Sequence, residues 1–405
     1  MNPSGWRNRY PVLVGEAHTI GSIAVIRSLG RSGYPVHACS SKADALGFKS
    51  NFASDRAVCP DYSKPQFLSW LKRYVRSNGI LAIIPSEAML LALQPVFSEF
   101  SYLFPFSRDE DIVYNGLSKF SLFQSLLARA NNEIPSHLPP TILLENLESL
   151  PTMNQLNQIG GPLYIKTDGS HAKKGENGFV YKALSTETAY KRLTELSSRF
   201  YRAVIQGHVG GQGVGAFFLL WQGRVLAEFM HRRLHEVPHS GGVSSLRKSW
   251  WHPDIRNDAL DKLMSLGWEG VAMMEYRWDP VSDQFYLMEM NGRFWGSLHL
   301  PLYAGVDFPR LLLDAFHDRS PEPVRGFPLN IRCRLTFPDE VQYVWSRLKD
   351  RQLSLSSRLW SIIEFFLLFF PFRINSDLFF PGDRRLYWDS FRRFLTAYFP
   401  WKRRS

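Results

Sequence analysis

The chain has 405 residues, of which 45% are hydrophobic and 21% are charged. This composition is typical of a globular protein of two or three domains and excludes a disordered or collagen-like chain. The net charge of +11 leaves nucleic acid, a membrane surface and an anionic small molecule such as a nucleotide open as ligands. Three widely spaced cysteines predict neither a zinc site nor a disulfide framework and favour a reducing compartment: Cys39, Cys59 and Cys333.

Residues 1–105 alternate between predicted strands and helices. The apolar run Val12–Val14 predicts a strand, and a helical pattern follows Gly15 and Gly21. Further strands are predicted at 36–39 and 81–84, with a helix at about 65–75 between them. This order is typical of a parallel α/β sheet, so we predict one small α/β domain over residues 1–105. The glycines do not form the dinucleotide-binding pattern G-x-G-x-x-G.

Residues 106–320 combine a helical region with strands and glycine-rich loops. The apolar spacing predicts a helix within 108–135, and strands at 163–166 and 179–182 flank a loop rich in glycine and lysine. A helix at 186–200 and a strand at 203–206 follow. Residues 206–320 contain two predicted hairpins, the second formed by strands 271–278 and 284–290.

Residues 321–405 differ in composition from the rest of the chain. Residues 320–405 contain 15 Lys+Arg and 8 Asp+Glu, a net charge of +7, which leaves +4 for the other residues. The longest apolar stretch, 359–372, is shorter than the roughly 20 residues that a spanning helix needs. We therefore predict a helical, basic and aromatic extension. Its Phe-rich helix either packs against the body or makes peripheral contact with a membrane through residues 355–405.

The second hairpin carries the side chains best suited to catalysis. Glu289, Asn291 and Arg293 are two residues apart along one strand and so share a face, and Glu275 on the partner strand can lie beside them. Two carboxylates and an amide oxygen suit Mg²⁺ bound to phosphates, and a guanidinium suits an anionic intermediate. The alternative is an ordinary hairpin whose polar residues face water. Apolar residues are expected on the opposite, buried face: Tyr286, Met288 and Met290.

This hairpin resembles the end of the core of the ATP-grasp ligases, where E-x-N-x-R follows an earlier glutamate on a neighbouring strand. Glu289-Met-Asn291-Gly-Arg293 and Glu275 match that pattern, and the resemblance covers about residues 10–315. It is greatest to the carbamoyl-phosphate-synthase-like and biotin-carboxylase-like branches. The resemblance implies an α/β fold, α+β in the ATP-binding part, with a Rossmann-like domain at 1–105 that does not bind NAD. It also implies an ATP-grasp domain at 106–320, divided into a small lid subdomain at about 140–205 and a larger subdomain at about 206–320. It also implies ATP and Mg²⁺ (or Mn²⁺) as cofactors, with Glu275, Glu289 and Asn291 as metal ligands.

The same resemblance implies further nucleotide-binding residues. Lys166, at the end of the strand LYIK, is similar to the lysine that reaches the α-phosphate, and Lys119 is similar to an earlier nucleotide-binding lysine. The loop that contains Gly175 and Gly178 resembles the mobile lid over the phosphates. From the residues alone, Lys119 is equally well interpreted as a solvated helix lysine, and the loop as a plain surface loop.

Three other segments occur in the order of the family. Gln206 and Val209 lie in a segment that resembles the adenine-binding hinge, although Gln206 stands where an acid is common. Arg233 begins a stretch similar to R-x-x-E-x-P-x-x-G-G-x-S, and this similarity implies that Arg233 binds a substrate carboxylate. The alternative is that Arg233 only forms an ion pair with Glu236. Arg293 is implied to stabilise the transferred phosphoryl group. The strand-end loop at 84–87 is expected to face the site. Pro238 and nearby glycines argue against a metal site formed by three histidines: His231, His235 and His239.

The sequence therefore predicts an ATP-dependent carboxylate–amine ligase that acts through an acyl phosphate. The alternative is a non-catalytic, ATP-binding adaptor of a membrane-associated biosynthetic assembly. The expected partners are small-molecule carboxylates and amines, with no nucleic acid, and a homo-oligomer is compatible with the sequence. We expect a cytoplasmic protein, with a peripheral position on the inner face of a membrane as an alternative.

Overall fold

The computed structural model describes residues 5–130, 137–174, 176, 178–239, 242–370 and 374–398. The strands of these residues are β1 (Val12–Val14), β2 (Val36–Ser40), β3 (Asp55–Val58), β4 (Ala82–Ile84), β5 (Thr141–Leu144), β6 (Leu163–Lys166), β7 (Val180–Ala183), β8 (Ala203–Gly207), β9 (Gln212–Trp221), β10 (Arg224–Val237), β11 (Val243–Ser249), β12 (Gly270–Trp278), β13 (Phe285–Asn291), β14 (Arg332–Arg334) and β15 (Ile374–Ser376). The helices are α1 (Ile20–Arg31), α2 (Gln66–Ser77), α3 (Glu87–Leu93), α4 (Phe97–Phe100), α5 (Glu110–Leu117), α6 (Lys119–Ala130), α7 (Met153–Ile159), α8 (Thr186–Leu196), α9 (Pro253–Ser265), α10 (His299–Tyr303), α11 (Phe308–Phe316), α12 (Val341–Lys349), α13 (Leu355–Leu367) and α14 (Arg385–Tyr398).

The first sheet is parallel, with strand order β3-β2-β1-β4, as expected for a Rossmann-like domain. Strands β1 and β4 are buried along their whole length, which explains their uninterrupted apolar sequences. Helix α1 begins where the Thr19 side chain accepts a hydrogen bond from the Ser22 amide, and α3 begins with the same arrangement at Ser86. The sequence did not indicate β3, because this edge strand exposes three of its four residues.

The second sheet, which we call the lid sheet, is antiparallel with order β5-β8-β6-β7. Helices α7 and α8 cover it through a core that includes Leu156, Ile165 and Leu193. The helical region predicted within 108–135 is two helices, α5 and α6, which are separated at Ser118. The part of that prediction at 131–136 lies outside the described residues.

The third sheet is central and has the order β13-β12-β9-β10-β11-β14-β15. Its pairs are antiparallel except for β14 with β15, which are parallel. Strand β9 is buried on both faces: Phe217 and Leu219 belong to the core shared with the Rossmann-like domain, whereas Phe218 and Leu220 belong to the core under α6 and α9. One face of the central sheet therefore meets the N-terminal domain directly.

The C-terminal region joins this body through two strands and a buried ion pair. Strand β14 extends the central sheet beyond β11, and β15 extends it further. Arg27 of α1 is completely buried and donates hydrogen bonds to Asp383 and to the carbonyl oxygens of Asp377 and Leu378. Residues around β14 and β15 thus pack against the body. Within the described residues, no helix is both long and apolar enough to cross a membrane.

Candidate active site

A cavity of about 650 Å³ lies between the Rossmann-like domain, the central sheet and the C-terminal region. The loops after β1 and β4 form one wall, which includes Glu87. The strand-end loop at 84–87 thus faces the cavity, as predicted. The floor is the face of the central sheet that carries the predicted site residues. The C-terminal region supplies a third wall with Leu335, Asp339 and Asp377. Each of these three parts of the chain therefore contributes to one open cavity, and the lid sheet reaches the same hairpin through Lys166.

The strand register aligns the site residues on the cavity floor. Glu289 on β13 lies opposite Glu275 on β12. Glu275 also lies opposite Gly215 on β9, and Gly215 lies opposite His231 on β10, so the four residues form one row across the sheet. Residues paired in this way across antiparallel strands point to the same face. A Cβ atom on Gly215 would lie 3.1 Å from Nε2 of His231 and 2.8 Å from the Phe217 ring, so glycine keeps this row open.

A β-bulge in β13 changes one prediction. The register moves from Glu275–Glu289 to Tyr276–Leu287, so that Met288 is an extra residue without a partner. The extra residue reverses the alternation, and Phe285 and Leu287 are buried together with Met290, whereas Tyr286 and Met288 are only partly buried. The prediction of a buried face at 286, 288 and 290 was therefore correct only for Met290.

The bulge also creates the contact that brings the lid sheet to the site. Lys166, at the end of β6, is 6% exposed, and its ammonium group donates a hydrogen bond of 3.1 Å to the carbonyl oxygen of Met288. Burial is the main cause that lowers the pKa of Lys166 to about 8; the charge of Glu289 opposes this shift, and that of Lys119 adds to it. An anionic phosphate at this position would restore the charged form.

Lys119 is positioned by the first turn of α6. The carboxylate of Asp168 accepts hydrogen bonds from the Ser118 hydroxyl and the Phe120 amide, both at 3.0 Å, and so fixes the start of the helix. The ammonium group of Lys119 then lies 4.0 Å from the Glu289 carboxylate. Lys119 therefore lies beside the glutamate pair, and its role in nucleotide binding stays a prediction. Sequence reasoning missed Asp168, whose only signal was its place just after the Lys166 strand.

The two glutamates differ in their electrostatic surroundings. Burial raises the pKa of Glu275, and the neighbouring charge of Glu289 adds to this effect, although Arg233 opposes it. Burial acts in the same direction on Glu289, but Lys119, Asn291 and Lys166 outweigh it and lower the pKa of that carboxyl. Glu289 is therefore ionised at neutral pH, and a cation between the two carboxylates would relieve their repulsion.

These residues fit a magnesium ion that is bound together with phosphates. Asn291 donates a hydrogen bond of 3.1 Å to Glu289, so its amide oxygen is free of that contact. In the part of the chain that the structure describes, no group of three or more His, Cys, Asp and Glu side chains is placed to hold a metal by itself. Mg²⁺ in nucleotide sites commonly takes only one or two carboxylates, with phosphate and water oxygens as its other ligands. Glu275, Glu289 and Asn291 supply such a partial set.

The two arginines predicted as catalytic lie on opposite sides of the glutamate pair. Arg233 is buried and contacts Glu275 at 2.5 Å, Glu236 at 3.3 Å and the Gly242 carbonyl at 3.0 Å. The Arg233–Glu236 ion pair that formed the sequence alternative is therefore present, but it is part of a network that includes the site. Arg293 is partly exposed and forms a 3.1 Å ion pair with Glu87.

The remaining predicted nucleotide residues lie in or beside the lid sheet. Gln206 is buried in β8, where its amide nitrogen donates to the Thr141 hydroxyl at 3.2 Å; Val209 follows that strand and is half-buried. A Cβ atom on Gly178 would lie 2.3 Å from the carbonyl oxygen of Thr167, so the loop approaches the end of β6 closely. Gly175 lies outside the described residues. These four assignments stay predictions.

The histidines do not form a common site. His231 lines the cavity, His235 contacts Glu340 and Glu364, and His239 contacts Asp350. Sequence reasoning missed several residues that line the cavity, because no motif surrounds them: Arg247, Leu335, Asp339 and Asp377.

Comparison with known proteins supports the fold assignment. No protein-family model and no curated protein matches the sequence. Among solved structures, biotin carboxylase from Campylobacter jejuni matches with a TM-score of 0.61 at 14% identity, over 80% of this chain and 74% of that one. An N5-carboxyaminoimidazole ribonucleotide synthetase matches with 0.59 at 12% identity, over 89% and 96%. An L-amino acid ligase from Bacillus licheniformis matches with 0.56 at 14% identity, over 78% of each chain.

These neighbours are ATP-grasp ligases, and similarity at this level of identity concerns the fold. The chain therefore has the ATP-grasp fold, with a Rossmann-like domain before it and helices near its C-terminus. This outcome confirms the fold predicted from the E-x-N-x-R hairpin.

Proposed function

We propose that the protein is an ATP-dependent carboxylate–amine ligase that acts through an acyl phosphate. The supporting observation is the convergence of Lys119 and Lys166 with the Glu275–Glu289 pair at one end of a cavity large enough for a small molecule. Lysines suit phosphate oxygens, and the carboxylate pair suits a phosphate-bound divalent cation. ATP-grasp ligases are also the class to which the structural neighbours belong.

The chain's own residues would position the reactants and balance their charge. Lys119 and Lys166 hold nucleotide phosphates, while Glu275, Glu289 and Asn291 hold Mg²⁺, which neutralises phosphate charge when it is bound; Mn²⁺ offers the same coordination. Gly178 and the loop around it close over the phosphates, and residues near Gln206 and Val209 contact the adenine. Closure excludes water, which would otherwise hydrolyse the acyl phosphate.

The reaction then has two steps. A substrate carboxylate oxygen attacks the γ-phosphorus, the new O–P bond forms, and the bond to ADP breaks. An amine next attacks the acyl carbon, the C–N bond forms, phosphate leaves with the bonding electron pair, and the amine nitrogen loses a proton to solvent. Arg233 binds the substrate carboxylate, and Arg293 stabilises the charge that develops on the transferred phosphoryl group and the tetrahedral intermediate.

ADP release tests this function. Carboxylate and amine pools are supplied with Mg–ATP, or with Mn–ATP, and ADP formation is followed for the full chain. We expect release that requires both pools and that falls at least about a hundredfold in Glu289→Gln, since a metal-ligand carboxylate is lost. The control is Glu195→Gln, the same change on the exposed surface of α8, which should retain wild-type turnover. Turnover of Glu289→Gln at the wild-type rate would refute the metal assignment.

A non-catalytic, ATP-binding adaptor is the second candidate. It predicts nucleotide binding without ADP release in any combination of pools. The hairpin keeps all four residues of the family pattern: Glu275, Glu289, Asn291 and Arg293. This favours the enzyme, because an adaptor does not need the E-x-N-x-R arrangement.

The exposed face of α13 favours an additional contact with a membrane surface. Along this helix, Leu355, Leu359, Ile363 and Phe366 follow helical spacing and are each about half exposed or more; Phe370, beyond its end, is 75% exposed. The surrounding region carries an excess of positive charge, which favours anionic lipid over a second, equally basic copy of this chain. We infer that this face rests on an anionic bilayer.

Vesicle sedimentation tests the membrane contact. Deletion of 355–405 is unsuitable, because it would also remove the buried residues around β15. Instead, Ile363→Ser combined with Phe366→Ser should abolish binding to vesicles that contain phosphatidylglycerol, whereas Val281→Ser, at a position 94% exposed elsewhere, should not. Equal binding of both variants, or dimerisation in place of vesicle binding, would refute it.

A further inference from the structure

The charges that line the cavity do not balance. Three guanidinium groups face six carboxylates, which are Glu16, Glu87, Glu275, Glu289, Asp339 and Asp377. Each of the arginines already has an acidic partner: Arg293 pairs with Glu87, Arg233 with Glu275, and Arg247 with Asp377. Glu289 faces Lys119. Glu16 and Asp339 are left without an ion pair among the described residues, so the lining carboxylates exceed the arginines and Lys119 by two before any metal is counted.

Asp339 lies on the C-terminal wall beside a second carboxylate. Asp377 is completely buried: one of its oxygens accepts from Arg247 and from the Cys333 thiol, while the other, Oδ2, has no hydrogen-bond partner within the described ranges. The formal charges of Asp339, Asp377 and Arg247 sum to −1. Glu340, the next residue, is occupied by His235 and does not offset this charge. A buried acceptor without a donor is destabilising unless a ligand or solvent supplies one.

A third acceptor lines the same cavity. His231 is 1% exposed, and neither of its ring nitrogens has a hydrogen-bond partner in the part of the chain described. Burial lowers the pKa of His231 well below its ordinary value, and Arg233 and Arg247 lower it further, so the ring is neutral and one nitrogen is an acceptor. Oδ2 of Asp377 on the C-terminal wall and the ring nitrogens of His231 on the floor are therefore buried atoms without a hydrogen-bond partner among the described residues, which distinguishes this part of the cavity from an ordinary acidic surface.

We propose that the C-terminal wall of the cavity binds an ammonium group of the substrate, with Asp339 as its direct partner and Asp377 behind it. This inference rests on the proposed function and specifies the substrate class of that site. An ammonium group supplies one positive charge and three donors, which match the uncompensated carboxylate and the unpartnered acceptors.

The position of this subsite constrains the substrate. Residues 336–340, the segment that carries Asp339, contact β10 and β11, whereas Glu275 and Glu289 lie on β12 and β13. The subsite is therefore separated from the metal ligands across the central sheet. The substrate therefore reacts at one end and is held by its ammonium group at the other. The ammonium belongs either to the amine substrate or to the carboxylate substrate.

Calorimetric titration of the full chain with matched small molecules tests the proposal. Putrescine is compared with 1,4-butanediol, and 6-aminohexanoate with 6-hydroxyhexanoate, each with and without Mg–ADP. We expect the cationic member of a pair to bind at least about tenfold more tightly, and Asp339→Asn to remove that preference. The control Asp261→Asn, on the exposed side of α9, should keep it. Putrescine binding places the ammonium on the amine substrate, and 6-aminohexanoate binding places it on the carboxylate substrate.

Three outcomes would overturn the proposal. The first is equal affinity within both pairs, and the second is no binding of either cation at a concentration of about 10 mM. The third is the same preference in Asp339→Asn as in Asp261→Asn. Nucleotide affinity, measured in the same titrations, shows whether each variant is folded. The test is independent of turnover. Absence of ADP release would refute the ligase function but not the ammonium subsite. ADP release without a preference for the cation would refute the ammonium subsite but not the ligase function.

Discussion

Glu275 and Glu289 lie directly opposite each other on β12 and β13, so two carboxylates share one patch of the cavity floor. Like charges in this position repel, and burial strengthens the effect. The lysines on one side and Arg233 on the other hold the pair in place before any cation binds. A divalent cation with nucleotide phosphates would remove the repulsion.

Stabilisation by Mg–ADP is therefore expected to depend on Glu289. At a concentration 100 times its Kd, Mg–ADP should stabilise the wild-type protein by about 2.7 kcal/mol. Glu289→Gln should lose most of that stabilisation, because a metal-ligand oxygen becomes an amide, while Glu195→Gln should keep it. Thermal melting with and without Mg–ADP measures both. Equal shifts in the two variants would contradict the assignment of Glu289 as a metal ligand.

Gly178 should tolerate no side chain. Its Cβ would meet the Thr167 carbonyl at 2.3 Å, next to Lys166, so Gly178→Ala must displace the end of β6. We expect a loss of stability on the order of 1–3 kcal/mol together with weaker ADP binding. The matched variant Gly161→Ala adds a Cβ whose nearest contact is 3.8 Å away, and it should change neither property. Wild-type ADP affinity in Gly178→Ala would contradict this role of the loop.

The Arg27–Asp383 pair should be essential for the stability of the body. Both side chains are fully buried, so Asp383→Asn leaves a buried guanidinium without its partner charge. We expect a loss of about 3–5 kcal/mol in the free energy of unfolding, measured with denaturant. Asp389→Asn, which disrupts partly exposed pairs with Lys49 and Arg393, should lose about 1 kcal/mol or less. Similar losses in the two variants would show that the C-terminal region is not anchored in this way.

Stability should fall in alkaline solution because of His235. Burial lowers the pKa of this residue, but hydrogen bonds with Glu340 and Glu364 outweigh that effect and raise it to about 9. In the unfolded chain the pKa of histidine is about 6.5, so the stabilisation is complete below that pH and is lost as the pH rises to 9. The free energy of unfolding should fall by about 3 kcal/mol over this range.

Denaturant unfolding between pH 6 and 9.5 measures this dependence. His235→Gln should flatten the pH profile over that window, whereas His208→Gln, at an exposed position, should leave the wild-type slope. A slope that persists in His235→Gln would assign the effect to other groups.

The sequence predicted the parts of the site that depend on local spacing. Alternation along one strand was enough to place Glu289 and Asn291 on a common face, and a lysine at the end of the strand LYIK was enough to single out Lys166 as a candidate, although not to predict its burial. The bulge at Met288 was not predictable, because one extra residue leaves no mark in an alternating pattern. Strands β14 and β15 have three residues each, too few for a periodic signal, and so the C-terminal wall with Asp339 and Asp377 was missed.

The most direct test of the ligase mechanism follows a carboxylate oxygen. When a carboxylate substrate identified by ADP release is labelled with ¹⁸O in its carboxyl group, an acyl phosphate transfers one labelled oxygen to phosphate as the amine displaces it. The proposed mechanism predicts one ¹⁸O atom in the inorganic phosphate for each C–N bond formed, as read by mass spectrometry. Unlabelled phosphate alongside product formation would contradict it.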